Sequence, residues 1–330
     1  MKLAQLNAFG IPSQVVDCIE GEEPGAPDAD EVTIEMLACP INPADLLIIE
    51  GKYASKPPLP AGLGIEGAGR VSAVGEDVTG LASGDLVMSL GRANWAEKLT
   101  LKSTEVIKAP DDIDMVQLSM LKSNPATAQL ILTDYVTLAP GDWVVQNAAN
   151  SAVGVNLIRL AKARGLKTVN VVRREHLIKS LQAIGADVVL VDGPDLARQV
   201  GAATGGAEIK LAVDAVAGAA TERLADCLAE EGTVVNYGLL SGDPCQLRAD
   251  QAVFKGITLT GFWLVRQMRA MKPAALAALY GDLMERIADG SLHVDVEATY
   301  GLDDIKMALQ HAGREARCGK VLITPNGPLS

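Results

Sequence analysis

The stretch from Asn124 to Arg174 constrains this chain more than any other. Within it, Asp142-Trp143-Val144-Val145-Gln146-Asn147 reads as a short buried strand. Small residues follow, Ala148-Ala149-Asn150-Ser151-Ala152-Val153-Gly154, and then Val153, Leu157, Leu160 and Ala161 recur at helical spacing up to a stop at Gly165. A second apolar strand, Thr168 to Val172, runs into Arg173-Arg174. Strand, tight turn, helix and strand make a βαβ unit whose turn can present backbone N–H groups to a pyrophosphate.

The glycine fingerprint of such turns is degenerate here. Laid against G-x-G-x-x-G, the three places hold Ala149, Ser151 and Gly154. That motif alone is also compatible with an ordinary strand–helix turn. The end of the second strand says more. A unit that binds NAD places Asp or Glu there to accept from the ribose hydroxyl, and this chain places Arg173 and Arg174 instead. Two guanidinium groups suit a 2′-phosphate, so the expected cofactor is NADPH. Read in isolation, two solvated arginines after a strand remain an alternative.

With 330 residues the chain can bury a large core, and two domains are expected. No apolar run is long enough to span a bilayer, so a soluble protein without membrane partners is expected. The first residues lack the apolar core of a signal peptide, and the five cysteines are scattered without a C-x-x-C pair. Both features point to reduced thiols and a cytoplasmic setting. A formal net charge of −12 disfavours nucleic-acid partners.

Residues 1–118 read as β-rich. Short runs at Val15-Val16, Glu31 to Leu37, Gly69 to Val74 and Asp85 to Met88 are separated by Gly, Pro and Asp turns. From Pro110 helices are expected at Asp114 to Lys122 and Ala126 to Val136, with a break at Asn124-Pro125. Beyond Arg174, strands at 187–191, Leu211 to Val216, Thr233 to Tyr237 and Ile257 to Trp263 alternate with helices at 177–184, 195–203 and 219–229. That alternation predicts a doubly wound parallel sheet, an α/β fold. A helix from Pro273 to Ile287, another at 303–312 and a strand Val321 to Thr324 follow, and the tail is expected to return to the first domain.

The string Gly64-x-Glu66-x-x-Gly69-x-Val71-x-x-Val74-Gly75, followed by Gly84-Asp85-x-Val87, resembles the substrate domain of the medium-chain dehydrogenase/reductase superfamily. The resemblance covers nearly the whole chain. It implies a GroES-like β-barrel catalytic domain, 1–118 with 264–330, and a Rossmann NADPH-binding domain, 119–263. Zinc members hold metal through C-x-x-D and G-H-E motifs; the matching places are Asn42-Pro43-Ala44-Asp45 and Gly64-Ile65-Glu66. Neither Asn42 nor Ile65 is a usual zinc ligand, so no catalytic metal is expected. Cys39 nearby reads as a small core residue.

Several segments together are similar to the mitochondrial-type 2-enoyl thioester reductases: Asn42 to Asp45, Glu50-Gly51-Lys52-Tyr53, Asn124 to Ala128, Gln146 to Ser151, Asn170 to Arg173, Asn236-Tyr237-Gly238 and Gly261 to Leu264. The resemblance implies NADPH-dependent reduction of the double bond of trans-2-enoyl thioesters carried on CoA or an acyl carrier protein. It places the catalytic tyrosine on Tyr53. It places cofactor contacts on Asn42, Asn124, Thr127, Asn150, Ser151, Ala152, Val153, Gly154, Arg173, Arg174, Tyr237, Gly238, Phe262, Trp263 and Lys320. The chain departs from the family at Arg173-Arg174-Glu175, where Arg-Asp-Arg is common, and at Leu239-Leu240, where glycine and methionine are.

Chemically, hydride must reach the β-carbon, and a neutral donor near the thioester oxygen stabilises the enolate charge as it develops. A phenol at Tyr53 fits that task; read alone, Tyr53 is a half-buried loop tyrosine. Trp263 reads equally as a wall of an acyl pocket or as sheet-edge packing. Lys52, Lys56, Arg266, Arg269 and Lys272 read as a basic patch for phosphates or as a solvated face. Rival readings are a zinc-free quinone or enone reductase and a non-catalytic NADPH-binding module. The run Ile257 to Trp263 suggests a sheet edge through which a homodimer would form.

Overall fold

The computed structural model describes residues 1–314 and 317–329. The chain divides into two compact units, Met1–Ser123 with Ala277–Ser330, and Asn124–Leu276.

In the first unit the long strand Glu31–Pro40 is the organiser. It pairs antiparallel with Gly67–Val74, with Lys98–Lys102 and with Lys320–Ile323 from the far end of the chain. The expected return of the tail is thus made by strand pairing. Leu86–Ser89, Val106–Lys108 and Val296–Tyr300 complete a seven-stranded sheet, and Val16–Glu20, Lys2–Leu6 and Ala61–Gly62 form a three-stranded one. Val32, Ile34 and Met36 alternate onto one face and pack with Leu6, Ile49, Trp95, Val321 and Ile323 in a single core. Helix Ile305–Ala312 covers it with Ile305, Ala308, Leu309 and Ala312, one helical stripe.

Helix Pro43–Ile49 is not among the elements expected from the sequence. Its start has an ordinary local cause: Asn42 is the N-cap, Pro43 opens the first turn, and Asp45 closes a capping box. The helix expected from Asp114 to Lys122 is shorter, Met115–Ser119, with Asp114 accepting from Val116 and Gln117 N–H at 2.9 and 3.1 Å. The region 303–312 begins as a 3-10 turn, Leu302–Asp304, before the helix proper.

The second unit is a parallel sheet of six strands. Across it lie Val188–Val191, Lys167–Val172, Trp143–Gln146, Leu211–Asp214, Thr233–Asn236 and Thr258–Gly261. Every pairing is parallel. Strand order reverses beside Trp143–Gln146, the crevice where doubly wound folds take ligands. Thr258–Gly261 is an edge strand. A helix not expected from sequence, Leu264–Ala270, follows it, with Trp263 at its N-cap position.

Candidate functional site

Most of the residues nominated in the second unit follow the C-terminal ends of its strands. After Trp143–Gln146 the chain turns through Ala148, which has φ +46°, into helix Ala152–Ala163. Ser151 caps that helix, its hydroxyl accepting from Gly154 N–H at 3.1 Å. A Cβ on Gly154 would stand 2.5 Å from the carbonyl oxygen of Ala149, so the one retained fingerprint glycine is required by close helix–turn packing. Asn150 is exposed at the turn, while Val153 and Gly154 are buried behind it.

Beneath the turn lies a polar network that the sequence reading did not single out. Fully buried Asp214 accepts from Asn147 Nδ2 at 2.6 Å, Val216 N–H at 2.9 Å, Ala217 N–H at 3.1 Å, Thr221 Oγ1 at 2.6 Å and Asn236 Nδ2 at 3.0 Å. Gln146 Nε2 donates to Gly154 O at 3.0 Å and to Asn170 Oδ1 at 2.8 Å. The strand ends and the turn are therefore fixed before any ligand arrives. An aspartate closing an apolar strand was the available signal.

Arg173 is exposed and Arg174 half-buried directly after Lys167–Val172. Among the described residues neither forms a salt bridge, and Arg174 Nε is buried without a partner. The nearby carboxylate of Asp192 is already held by Arg223, at 2.7 and 2.5 Å. Tyr237, after strand Thr233–Asn236, has a buried hydroxyl without a hydrogen-bond partner. Burial pushes this phenol up to about 12; the Ser151 side chain opposes the rise without reaching hydrogen-bond geometry. Gly238 comes next, and Phe262 N–H bonds Asn236 O at 2.8 Å beside it. Phe262 is buried against the Tyr135 ring at 6.4 Å, and Trp263 is half-buried. Asn124 and buried Thr127 lie in the first turn of helix Asn124–Asp134, which packs on Ala152–Ala163. An orphaned hydroxyl, an orphaned guanidinium nitrogen and a capped helix N-terminus fit a phosphorylated dinucleotide.

The first unit holds a buried ionic cluster built from distant segments. Asn42 Nδ2 donates to Glu66 Oε1 at 2.6 Å, and Lys320 Nζ donates to Asn42 Oδ1 at 2.5 Å. The second oxygen of Glu66 accepts from Ser123 N–H at 2.8 Å. Lys122 Nζ donates to Ile65 O at 2.5 Å and Gly91 O at 2.7 Å. Asp45 accepts from Asn42 N–H at 2.8 Å and Ile65 N–H at 3.0 Å. Burial lowers Lys122 and Lys320 to about 8 each, with Glu66 pulling the other way. Burial, reinforced by Glu66, raises Asp45 to about 7. Nominated residues Asn42 and Lys320 are thus brought together, but both side chains are satisfied inside the cluster. Asp45, Glu66 and Lys122 were not nominated; Asn-Pro-x-Asp is a legible capping signature that marks the first of them.

This cluster does not fit a zinc ion. The places of the Cys and His ligands hold an amide and an isoleucine, and the amide oxygen already accepts from an ammonium group. Among the described residues no three His, Cys, Asp or Glu side chains are grouped to hold a metal. Cys39 donates its thiol to Asn94 O at 3.0 Å, and burial raises its pKa well above the usual thiol range, as suits an inert core residue.

Tyr53 is half-buried after helix Pro43–Ile49, packs on the first unit's core and donates its N–H to Leu47 O at 3.1 Å. Lys52, Lys56, Arg266, Arg269 and Lys272 are all exposed; Lys52 pairs with Glu50 at 2.9 Å, and Lys56 lies 5.7 Å from the Phe9 ring. No helix among the described residues is long and apolar enough to cross a membrane.

Two family models match, the alcohol dehydrogenase GroES-like domain over residues 28–111 and the zinc-binding dehydrogenase over 152–279. The human mitochondrial enoyl-[acyl-carrier-protein] reductase is 34% identical over 331 residues, 96% of this chain and 86% of the relative. Among solved structures, the Escherichia coli quinone oxidoreductase complexed with NADPH has a TM-score of 0.89 at 26% identity, covering 98% of this chain and 100% of its own. The mitochondrial 2-enoyl thioester reductase Etr1p/Etr2p heterodimer from Candida tropicalis has a TM-score of 0.85 at 26% identity, covering 98% and 99%.

Proposed function

The chain belongs to the medium-chain dehydrogenase/reductase superfamily, in its enoyl thioester reductase-like part, and we propose that it uses NADPH, without a metal, to reduce the C2=C3 double bond of trans-2-enoyl thioesters. It is an oxidoreductase of that superfamily. The observation that carries the finer reading is the similarity to enoyl reductases over 96% of the chain. Bound NADPH supplies the hydride delivered to the β-carbon of the substrate. The turn 148–152 and the N-terminus of helix Ala152–Ala163 receive the pyrophosphate, and Arg173 and Arg174 the 2′-phosphate. The vacant hydrogen-bonding capacity of Tyr237 and Arg174 supports that assignment. Tyr53 donates to the thioester oxygen where charge develops and leads a proton towards the α-carbon.

The Asn42–Glu66–Lys320 set supports metal-free chemistry, since an amide bonded to an ammonium group stands where the zinc members have a cysteine. The test is steady-state NADPH oxidation with crotonyl-CoA, a longer enoyl-CoA and a simple quinone, side by side. Faster turnover of the quinone than of either thioester would overturn the reading. A quinone reductase is the second reading, favoured by the fit to the E. coli quinone oxidoreductase.

The proposal extends to a homodimer formed through the edge strand Thr258–Gly261, supported by the exposed Val253 and Phe254 that precede it. Light scattering that reports a monomer at micromolar concentration would remove this part. Five free cysteines support a reducing, cytoplasmic setting. Acyl carrier protein as the thioester carrier is the alternative to CoA, and kinetics with both carriers separate them.

A further inference from the structure

The strand pair Val296–Tyr300 and Lys320–Ile323 is specified in unusual detail at one end. The strands run parallel, and their register slips between Val296 and Ala298, which makes Glu297 the extra residue of a bulge. A bulge re-aims the side chain it carries. Here Glu297 Oε2 accepts from Cys318 N–H at 2.6 Å and from Gly319 N–H at 3.3 Å. Its other oxygen lies 2.9 Å from His311 Nε2, and His311 Nδ1 lies 2.9 Å from the Tyr300 hydroxyl. The two rings meet edge to face at 5.9 Å. Hydrogen bonding from His311 holds the Glu297 carboxyl below its usual range.

The next residues show what this arrangement secures. A Cβ on Gly319 would stand 2.8 Å from both Asp295 O and Glu297 N, so only glycine permits the approach. Lys320 follows, its N–H bonded to Asp295 O at 2.8 Å, and its ammonium runs inward to Asn42 Oδ1. A lysine side chain is a flexible stem, so a buried ammonium keeps one partner only if its main chain is fixed.

We propose that Glu297 is a positioning residue: held by His311, which Tyr300 in turn orients, it fixes the 318–319 backbone from which Lys320 reaches Asn42. The proposal rests on the reading that Lys320 and Asn42 serve the dinucleotide. Its effect on the cofactor is exerted through Lys320.

A carboxylate accepts on both sides. An amide at 297 could keep all its partners, accepting from the two backbone N–H groups and donating to the other tautomer of His311, so the variant must lack an acceptor altogether. Glu297→Leu loses His311 and the two backbone amides together. The experiment is calorimetric titration of NADPH into the full chain, the Glu297→Leu and Lys320→Met variants and the double variant. Melting temperatures confirm that each is folded. Glu297→Leu is expected to weaken NADPH roughly three- to tenfold and Lys320→Met at least as much. The double variant should be no weaker than Lys320→Met alone, because both act on one contact. Amide exchange at Cys318 and Gly319 should accelerate in Glu297→Leu, and Glu297→Asp should recover part of the affinity. Additive losses in the double variant overturn the proposal. So does unchanged NADPH affinity in Glu297→Leu when Lys320→Met has weakened it. If Lys320→Met leaves NADPH binding untouched, the reading of Lys320 as a cofactor residue fails, and the proposal falls with it.

Discussion

Replacing Glu66 by Gln is the sharpest perturbation available in the first unit. Ser123 N–H donates to one oxygen of Glu66, Asn42 Nδ2 to the other, and Lys320 Nζ to Asn42 Oδ1. This chain has donors at both ends, so its middle must contain a group that only accepts. A glutamine turned one way sets its NH2 against Ser123 N–H; turned the other way, against Asn42. Flipping Asn42 merely moves the conflict to Lys320. While Lys320 keeps its proton, one buried donor is left unpaired in every arrangement, which costs about 1–3 kcal/mol.

The lost charge adds a second, pH-dependent part. Glu66 supports the charged forms of Lys122 and Lys320, each now at about 8. Without it both shift lower and shed protons. At pH 7 that adds at most about 1.4 kcal/mol per lysine, since each lies about one unit above the pH. The two parts overlap at Lys320, which either keeps its proton and leaves a donor unpaired or gives the proton up, so the total expected at pH 7 is about 3 kcal/mol. A lysine whose folded pKa lies below its unfolded value costs stability in full below the folded pKa, and the cost is relieved as pH rises from there towards the unfolded pKa. At pH 9 the unmodified lysines are themselves mostly neutral and a neutral Lys320 can accept from a flipped Asn42, so most of the deficit disappears. Urea unfolding should therefore show the Glu66→Gln deficit shrinking by about 2–3 kcal/mol between pH 7 and pH 9. A deficit that stays constant or grows over that range would refute the reasoning.

Other perturbations address the proposed chemistry. Arg173→Ala should weaken NADPH roughly tenfold or more while leaving NADH nearly unchanged, because charge-assisted bonds to the extra phosphate are lost; equal use of both cofactors by the unmodified enzyme would sink the assignment. Dialysis against a strong chelator should leave turnover intact, and activity that disappears and returns with added zinc would contradict the satisfied Asn42 cluster. Tyr53→Phe should preserve NADPH binding and lower kcat for crotonyl-CoA by about 10²–10⁴-fold. Near-normal thioester turnover by that variant would put the quinone reading ahead.

The α/β character and the order of the two architectures were legible because they rest on local pattern. Gln146 to Gly154 shows the strand–turn–helix switch within a few residues, and Gly154 sits where a side chain would strike Ala149 O. Helix Pro43–Ile49 was equally legible in its Asn-Pro-x-Asp start but was passed over, because those residues were compared with metal ligands. The ionic cluster was not legible at all. Lys320 and Asn42 lie 278 residues apart, and nothing local in either segment says that a strand pairing will bring them together. Glu297 was hidden for a similar reason: a bulge breaks the period of two that a sequence pattern would reveal.

Two buried carboxylates show how differently the units secure their functional backbone. Asp214 is held by neutral donors, two side-chain amides, a hydroxyl and two backbone N–H groups. Glu66 is held by one amide and one backbone N–H, with two buried lysines supplying the counter-charge. Neutral hydrogen bonds do not change as pH passes through 8, whereas the lysine charges do. The turn at 147–151 should therefore keep its geometry across that range, while the Asn42–Lys320 contact weakens as Lys320 loses its proton. On the proposed reading of Lys320 as a cofactor residue, calorimetric titration at pH 7 and pH 9 is expected to show a smaller loss of NADPH affinity in Lys320→Met than in the unmodified chain, and an equal loss in both would refute that part of the reading.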